Sequence, residues 1–207
     1  MQPVKEYEEL SRAFDYYNRK LFEDNIPAAI ITLRGKKSIN GFFRFQSFSG
    51  RNGNPDERID EIALNPENFL RSEKEVLSTL VHEMCHSWQF HFSKKSKKTS
   101  YHDNEWAGLM DSVGLVPSNT GKPGGKTTGQ GMTHYIKKGG KFDTCTGELL
   151  KSGWHLNYSR ESDPEAVAKK KRETKTKYSC PECGVNAWGK LGINLVCGEC
   201  KEHMVGE

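Results

Sequence analysis

Three side chains suited to hydrolytic chemistry stand within five consecutive positions. They are His82, Glu83 and His86, in the run Thr79-Leu80-Val81-His82-Glu83-Met84-Cys85-His86-Ser87-Trp88. On a helix, residues four apart lie on one face. His82 and His86 would then offer two imidazoles at a separation that one tetrahedral zinc can bridge. Glu83 falls beside the first of them, where a carboxylate can take a proton from a water that the metal has acidified. Val76, Leu77, Leu80 and Val81 lead in and Trp88 follows, so the helix is expected to be buried. Such a pentapeptide also recurs by chance on helices whose histidines only pack or face solvent. The rest of the chain decides between the two.

A catalytic zinc needs three protein ligands and one open position. A metzincin continuation would put glycine at position 89 and histidine at position 92. This chain has Gln89 and Phe92, which excludes that class. Two candidates lie downstream, His102 and Glu105, three apart on a short second helix and both able to face the first. Glu105 would complete a two-His, one-Glu site and His102 a three-His site. His102 is preferred, because it stands at the helix start and leaves Glu105 free to orient a ligand histidine. The plainer role for Glu105 is a salt bridge or a cap. His134 and Tyr135 could each donate a hydrogen bond to a developing oxyanion, or simply pack on the core. Cys85 is turned off the ligand face and is expected to pack. Cys145 is expected to be a plain thiol, and His91 and His155 carry no assigned role.

A second metal pattern closes the chain. Cys180-Pro181-Glu182-Cys183 and Cys197-Gly198-Glu199-Cys200 are two C-x2-C knuckles separated by thirteen residues. Each knuckle converges two thiolates, and the pair builds a closed Cys180, Cys183, Cys197, Cys200 tetrahedron for a structural zinc. So small a unit needs its metal to fold. Trp188 is expected to fill the hairpin between the knuckles; His203 sits close enough to be a spare donor, but four cysteines already complete the site.

The elements that must position these groups follow from periodicity. Residues 4 to 23 place Val4, Tyr7, Leu10, Phe14, Tyr17 and Leu21 at helical spacing. Residues 28–33, 39–48 and 58–64 read as strands, with a turn at Asn52-Gly53-Asn54-Pro55. The motif helix runs from Ser72 to Phe92, with Ser72 and Glu75 in capping-box spacing. A basic loop, Lys94 to Lys98, leads to a helix over 103–113. Residues 114–131 are expected to have little regular structure and to act as a lid, and 132–136 to form a short strand.

The 207 residues suffice for one core-forming domain plus a small appendage. Net charge is +4 and mean hydropathy −0.77. That balance is too mild to demand a nucleic-acid partner, so the distribution of charge matters more. Lys94 to Lys98 and the linker Lys169-Lys170-Lys171-Arg172, with Lys175 and Lys177, are candidate phosphate contacts, and Trp188 a candidate base-stacking surface. No apolar h-region opens the chain, and no run approaches the roughly 20 residues of a membrane span. A monomeric cytoplasmic protein without a membrane partner is expected, where cysteines are thiols or metal ligands rather than disulfides.

Gly41-Phe42-Phe43, Glu61-Ile62-Ala63-Leu64-Asn65-Pro66, Val81-His82-Glu83-Met84-Cys85-His86 and His102-Asp103-Asn104-Glu105-Trp106, in that order, resemble the SprT-like zinc metallopeptidases. That family includes the eukaryotic DNA-dependent protease Spartan, which cleaves proteins crosslinked to DNA. The resemblance implies an α+β minimal zincin, placed over residues 1–155, with His82, His86 and His102 as ligands of a catalytic zinc, Glu83 as acid/base, and protein or peptide substrates. The charged run 156–177 reads as a basic linker and 178–207 as the zinc ribbon with its second zinc.

Overall fold

A computed structural model describes residues 5–35, 39–51, 56–93, 101–159 and 176–206. The chain divides into two compact units, residues 1–160 and 161–207. The expected turn at 52–55, the basic loop at 94–98 and the linker cations from Lys169 to Lys175 lie outside the described residues. Among the described residues, no helix is long and apolar enough to cross a membrane.

The first unit is α+β. Helix α1 (Glu6–Phe22) buries Leu10, Ala13, Phe14, Tyr17 and Phe22. Glu6, Glu8 and Glu9 in its first turn and Arg19 and Lys20 in its last complement the helix dipole. Strands β1 (Ala29–Leu33), β2 (Gly41–Ser49) and β3 (Arg58–Leu64) form a sheet in the order β1-β3-β2. β1 runs parallel to β3, and β2 runs antiparallel to it. Central β3 is buried from Asp60 through Leu64, including Glu61, which accepts hydrogen bonds from Thr32, Arg34 and Ser47.

Helix α2 (Glu73–Phe92) carries the histidine motif and packs on this sheet. Its start is a capping box. The Ser72 hydroxyl accepts from the Glu75 amide, and the Glu75 carboxylate accepts from the Ser72 amide. Every residue from Val76 to Ser87 is buried, so this is an interior helix whose polar side chains need partners. Helix α3 (Asn104–Val113) is capped by the Asp103 carboxylate and ends on Gly114, whose φ of 91° suits glycine. Strand β4 (Leu115–Ser118) pairs antiparallel with β5 (Thr133–Ile136). Part of the stretch expected to lack regular structure is therefore a strand, with Leu115 fully buried.

Helix α4 (Lys141–Lys151) was not legible in the sequence. Gly147 and two threonines dilute its propensity, yet Phe142, Thr146 and Leu149 face inward. The fully buried Phe142 stacks on Tyr17 at 5.6 Å between centroids, tying α4 to α1.

The second unit is a three-stranded sheet in the order β7-β6-β8, from β6 (Thr176–Ser179), β7 (Asn186–Gly189) and β8 (Val205–Gly206). Trp188 does not fill it: that side chain is 60% exposed. It pairs with Lys177, whereas the neighbouring pair Tyr178–Ala187 faces the other way. Tyr178 is the buried aromatic, and its hydroxyl donates to the Lys190 carbonyl at 2.7 Å.

Candidate metal centre and active site

Helix α2 places His82 and His86 one turn apart, and the chain entering α3 brings His102 against them. All three are buried. One ring nitrogen from each lies within 4.8 Å of the other two. The Nε2 atoms of His86 and His102 are 3.1 Å apart. A tetrahedral ion with bonds of 2.0–2.1 Å would separate two ligand nitrogens by about 3.3 Å. His102 Nδ1 lies 3.1 Å from the Gly129 carbonyl, which can only accept, so Nδ1 carries the proton and Nε2 the lone pair. Burial favours the neutral form of all three rings. It holds His82 well below its ordinary pKa, lowers His86 to about 3 and lowers His102. Three neutral imidazoles converging in a dry setting are a donor set that fits zinc.

The supports of His102 reach back to α2. Gln89 Nε2 donates at 2.8 Å to Asp103 Oδ1, the same oxygen that accepts from the Trp106 amide at 2.9 Å. Position 89 thus ties the two ligand-bearing segments together. Trp106 packs against all three histidines, with ring centroids at 4.3 to 5.3 Å. Glu105 accepts from the Ser93 hydroxyl at 2.5 Å, at the end of α2.

Glu83 is buried beside the triad. Burial pushes its carboxyl up to about 8, against one backbone hydrogen bond from Phe43 that lowers it. A cleft of about 190 Å³ opens here. Helix α2 contributes Thr79, His82 and Glu83, and the chain entering β2 contributes Ile39, Asn40 and Gly41. The chain entering β5 contributes Gly131, Met132, Thr133 and His134. Gly41 is held close: a Cβ there would lie 2.8 Å from the Ala63 carbonyl oxygen and 3.2 Å from Glu83 Oε1.

His134 reaches the site, while Tyr135 does not line this cleft. Tyr135 lies instead along a neighbouring hollow with Asn40, Arg71 and Ser78. Cys85 packs fully buried, as expected. His91 has a partner that the sequence did not disclose, the buried Asp60 at 2.6 Å.

In the second unit, Cys180, Cys183, Cys197 and Cys200 converge, with Cys183 and Cys197 sulfurs 3.6 Å apart. A tetrahedral ion with bonds of 2.3 Å would separate them by about 3.8 Å. The two knuckles repeat one backbone bond, Gly184 amide to Cys180 carbonyl and Lys201 amide to Cys197 carbonyl, each 3.0 Å. Backbone amides of Cys200 and Glu199 lower the Cys197 thiol to about 7, favouring the thiolate that a metal needs. His203 bonds Asn194 and stands outside this cluster.

Small sheet, buried motif helix, and a third histidine from the following segment define a metallopeptidase-like domain. The model of the SprT-like family matches residues 10–123, more than half the chain, and the protein belongs to that family. An uncharacterized protein from the mucB 3' region of Salmonella typhimurium is 41% identical over 56 residues, 27% of this chain and 73% of that protein. No solved structure matches the chain. The family match ends before His134 and before the cysteine cluster.

Proposed function

We propose that the protein is a zinc-dependent endopeptidase acting on DNA-associated proteins. The observation that carries the peptidase reading is the buried carboxylate of Glu83, on the same helix as two convergent histidines and lining the cleft. His82, His86 and His102 would hold the zinc, which supplies Lewis acidity and lowers the pKa of a water toward about 7. Glu83 accepts the proton as water attacks the scissile carbonyl. It then delivers that proton to the amine nitrogen as the C–N bond breaks. Burial that raises the proton affinity of Glu83 suits a group that must both take and return a proton near neutral pH. The DNA-associated substrate class draws support from the family resemblance and from the two basic segments in the sequence.

The test is proteolysis of a DNA-binding protein by the zinc-loaded chain, with and without single-stranded DNA, alongside Glu83→Gln. Cleavage that rises with DNA and falls by about 10²–10⁴ in the variant, with zinc retained, is the expected result. DNA binding without cleavage would replace this reading with a non-catalytic DNA-binding module built on a zincin scaffold.

A further inference from the structure

His134 has both ring nitrogens engaged. Its Nε2 lies 2.8 Å from the Ser78 hydroxyl, and its Nδ1 lies 3.1 Å from His82 Nδ1. Proton positions along this path follow from its far end. The Ser78 hydroxyl donates its one proton to the Glu75 carbonyl at 2.8 Å, inside the first turns of α2. It must therefore accept from His134, so His134 carries its proton on Nε2. That leaves a lone pair on His134 Nδ1, and the short contact to His82 is a hydrogen bond only if His82 donates from its own Nδ1. His82 then has an unprotonated Nε2. His134 is outside the convergent triad. Its ring is spent on this path and has no N–H left for a substrate oxyanion.

We propose that His134, backed by Ser78, is a positioning residue that locks His82 in the Nδ1–H tautomer and so presents the Nε2 lone pair for zinc. The inference rests on the metal centre assigned above. It gives His82 what the Gly129 carbonyl gives His102, an acceptor that fixes both tautomer and ring orientation. The acceptor here is another imidazole, brought from β5. The strand that flanks the cleft therefore also tunes the ligand, and β5 movement would be felt at the metal.

Long-range proton–nitrogen NMR of the full chain, with free zinc buffered at stepped concentrations, tests this. At low zinc, His82 is expected in the Nδ1–H form and His134 in the Nε2–H form. His134→Ala should release His82 from that form and weaken zinc binding, read on the His82, His86 and His102 resonances, by about ten- to a hundredfold. His134→Asn offers a carboxamide oxygen to His82 and an N–H to Ser78, and should recover much of the loss. His134→Leu fills the space without an acceptor, so a space-filling role alone would make it bind zinc at least as well as the asparagine variant, whereas here it is expected to bind no better than the alanine one. Wild-type His82 in the Nε2–H form, or equal zinc affinity in wild type and His134→Ala, would overturn this inference and leave the metal centre standing. Failure of zinc to shift any of the three histidines in the wild type would overturn both.

Discussion

Gly41 shows how tightly the Glu83 carboxylate is seated. Replacing its hydrogen by a methyl group puts carbon 2.8 Å from a strand carbonyl, 3.0 Å from Thr79 Cγ2 and 3.2 Å from Glu83 Oε1. The carbonyl belongs to central β3, so the backbone at position 41 must shift, and the new methyl group then presses on the Glu83 carboxylate. Gly41→Ala should cost about 1–3 kcal/mol of stability. It should reduce peptidase activity about ten- to a hundredfold through misplacement of the base. Zinc affinity at the histidines should stay near the wild-type level, because the atoms nearest a Cβ at position 41 belong to Ala63, Thr79 and Glu83. Zinc titration and a peptidase assay on one preparation separate the two effects. The motif itself was readable because i and i+4 spacing is a local property of a helix. The fit of Gly41 against Glu83 was not, since it joins residues 42 positions apart through a sheet.

Among the elements, the capping box at Ser72 and Glu75 and the three sheet strands follow from local signals, and the structure has them where those signals fall. What was hidden are the ties between elements. Gln89 was noticed only as the residue that excludes another class, yet it holds α2 to the cap of α3. Gln89→Ala leaves the Asp103 carboxylate with its helix amide alone. Zinc affinity should fall by about tenfold while the helix content seen by circular dichroism is unchanged. Glu61 is a second tie, joining β1 and β2 to β3. Burial alone would raise its pKa, but hydrogen bonds from Thr32, Arg34 and Ser47 and the Arg34 charge outweigh that and hold it below the ordinary glutamate value. As pH falls, the unfolded chain therefore takes up this proton first. The stability that the carboxylate supplies is present above the ordinary glutamate pKa and is lost as pH drops through the lower folded value. Glu61→Gln should lower stability at neutral pH by about 1–3 kcal/mol and make the acid limb of a denaturation profile shallower.

At the scale of the whole molecule, the two units should depend on metal in different degrees. The first has a core in which Trp106, Trp154, Tyr17 and Phe142 are fully buried, and it should stay folded when zinc is withdrawn. The second buries Tyr178, Cys180 and Cys197, while Trp188, Leu191, Val196 and Val205 are exposed by half or more. A strong chelator should collapse the amide spectrum of 176–206 and leave that of the first unit dispersed. The four-cysteine spacing made this unit legible, because a metal imposes its own geometry. The outward turn of Trp188 was not, because in so short a hairpin the strand register decides which aromatic is inside. That outward turn has a calorimetric consequence. Heat capacity rises on unfolding in proportion to the apolar surface newly wetted, and this unit keeps much of its apolar surface wet while folded. Its melting should therefore carry a small heat-capacity step per residue and a stability curve with little curvature. Its transition temperature would follow the logarithm of free zinc, so the C-terminal unit would register zinc activity far more than temperature.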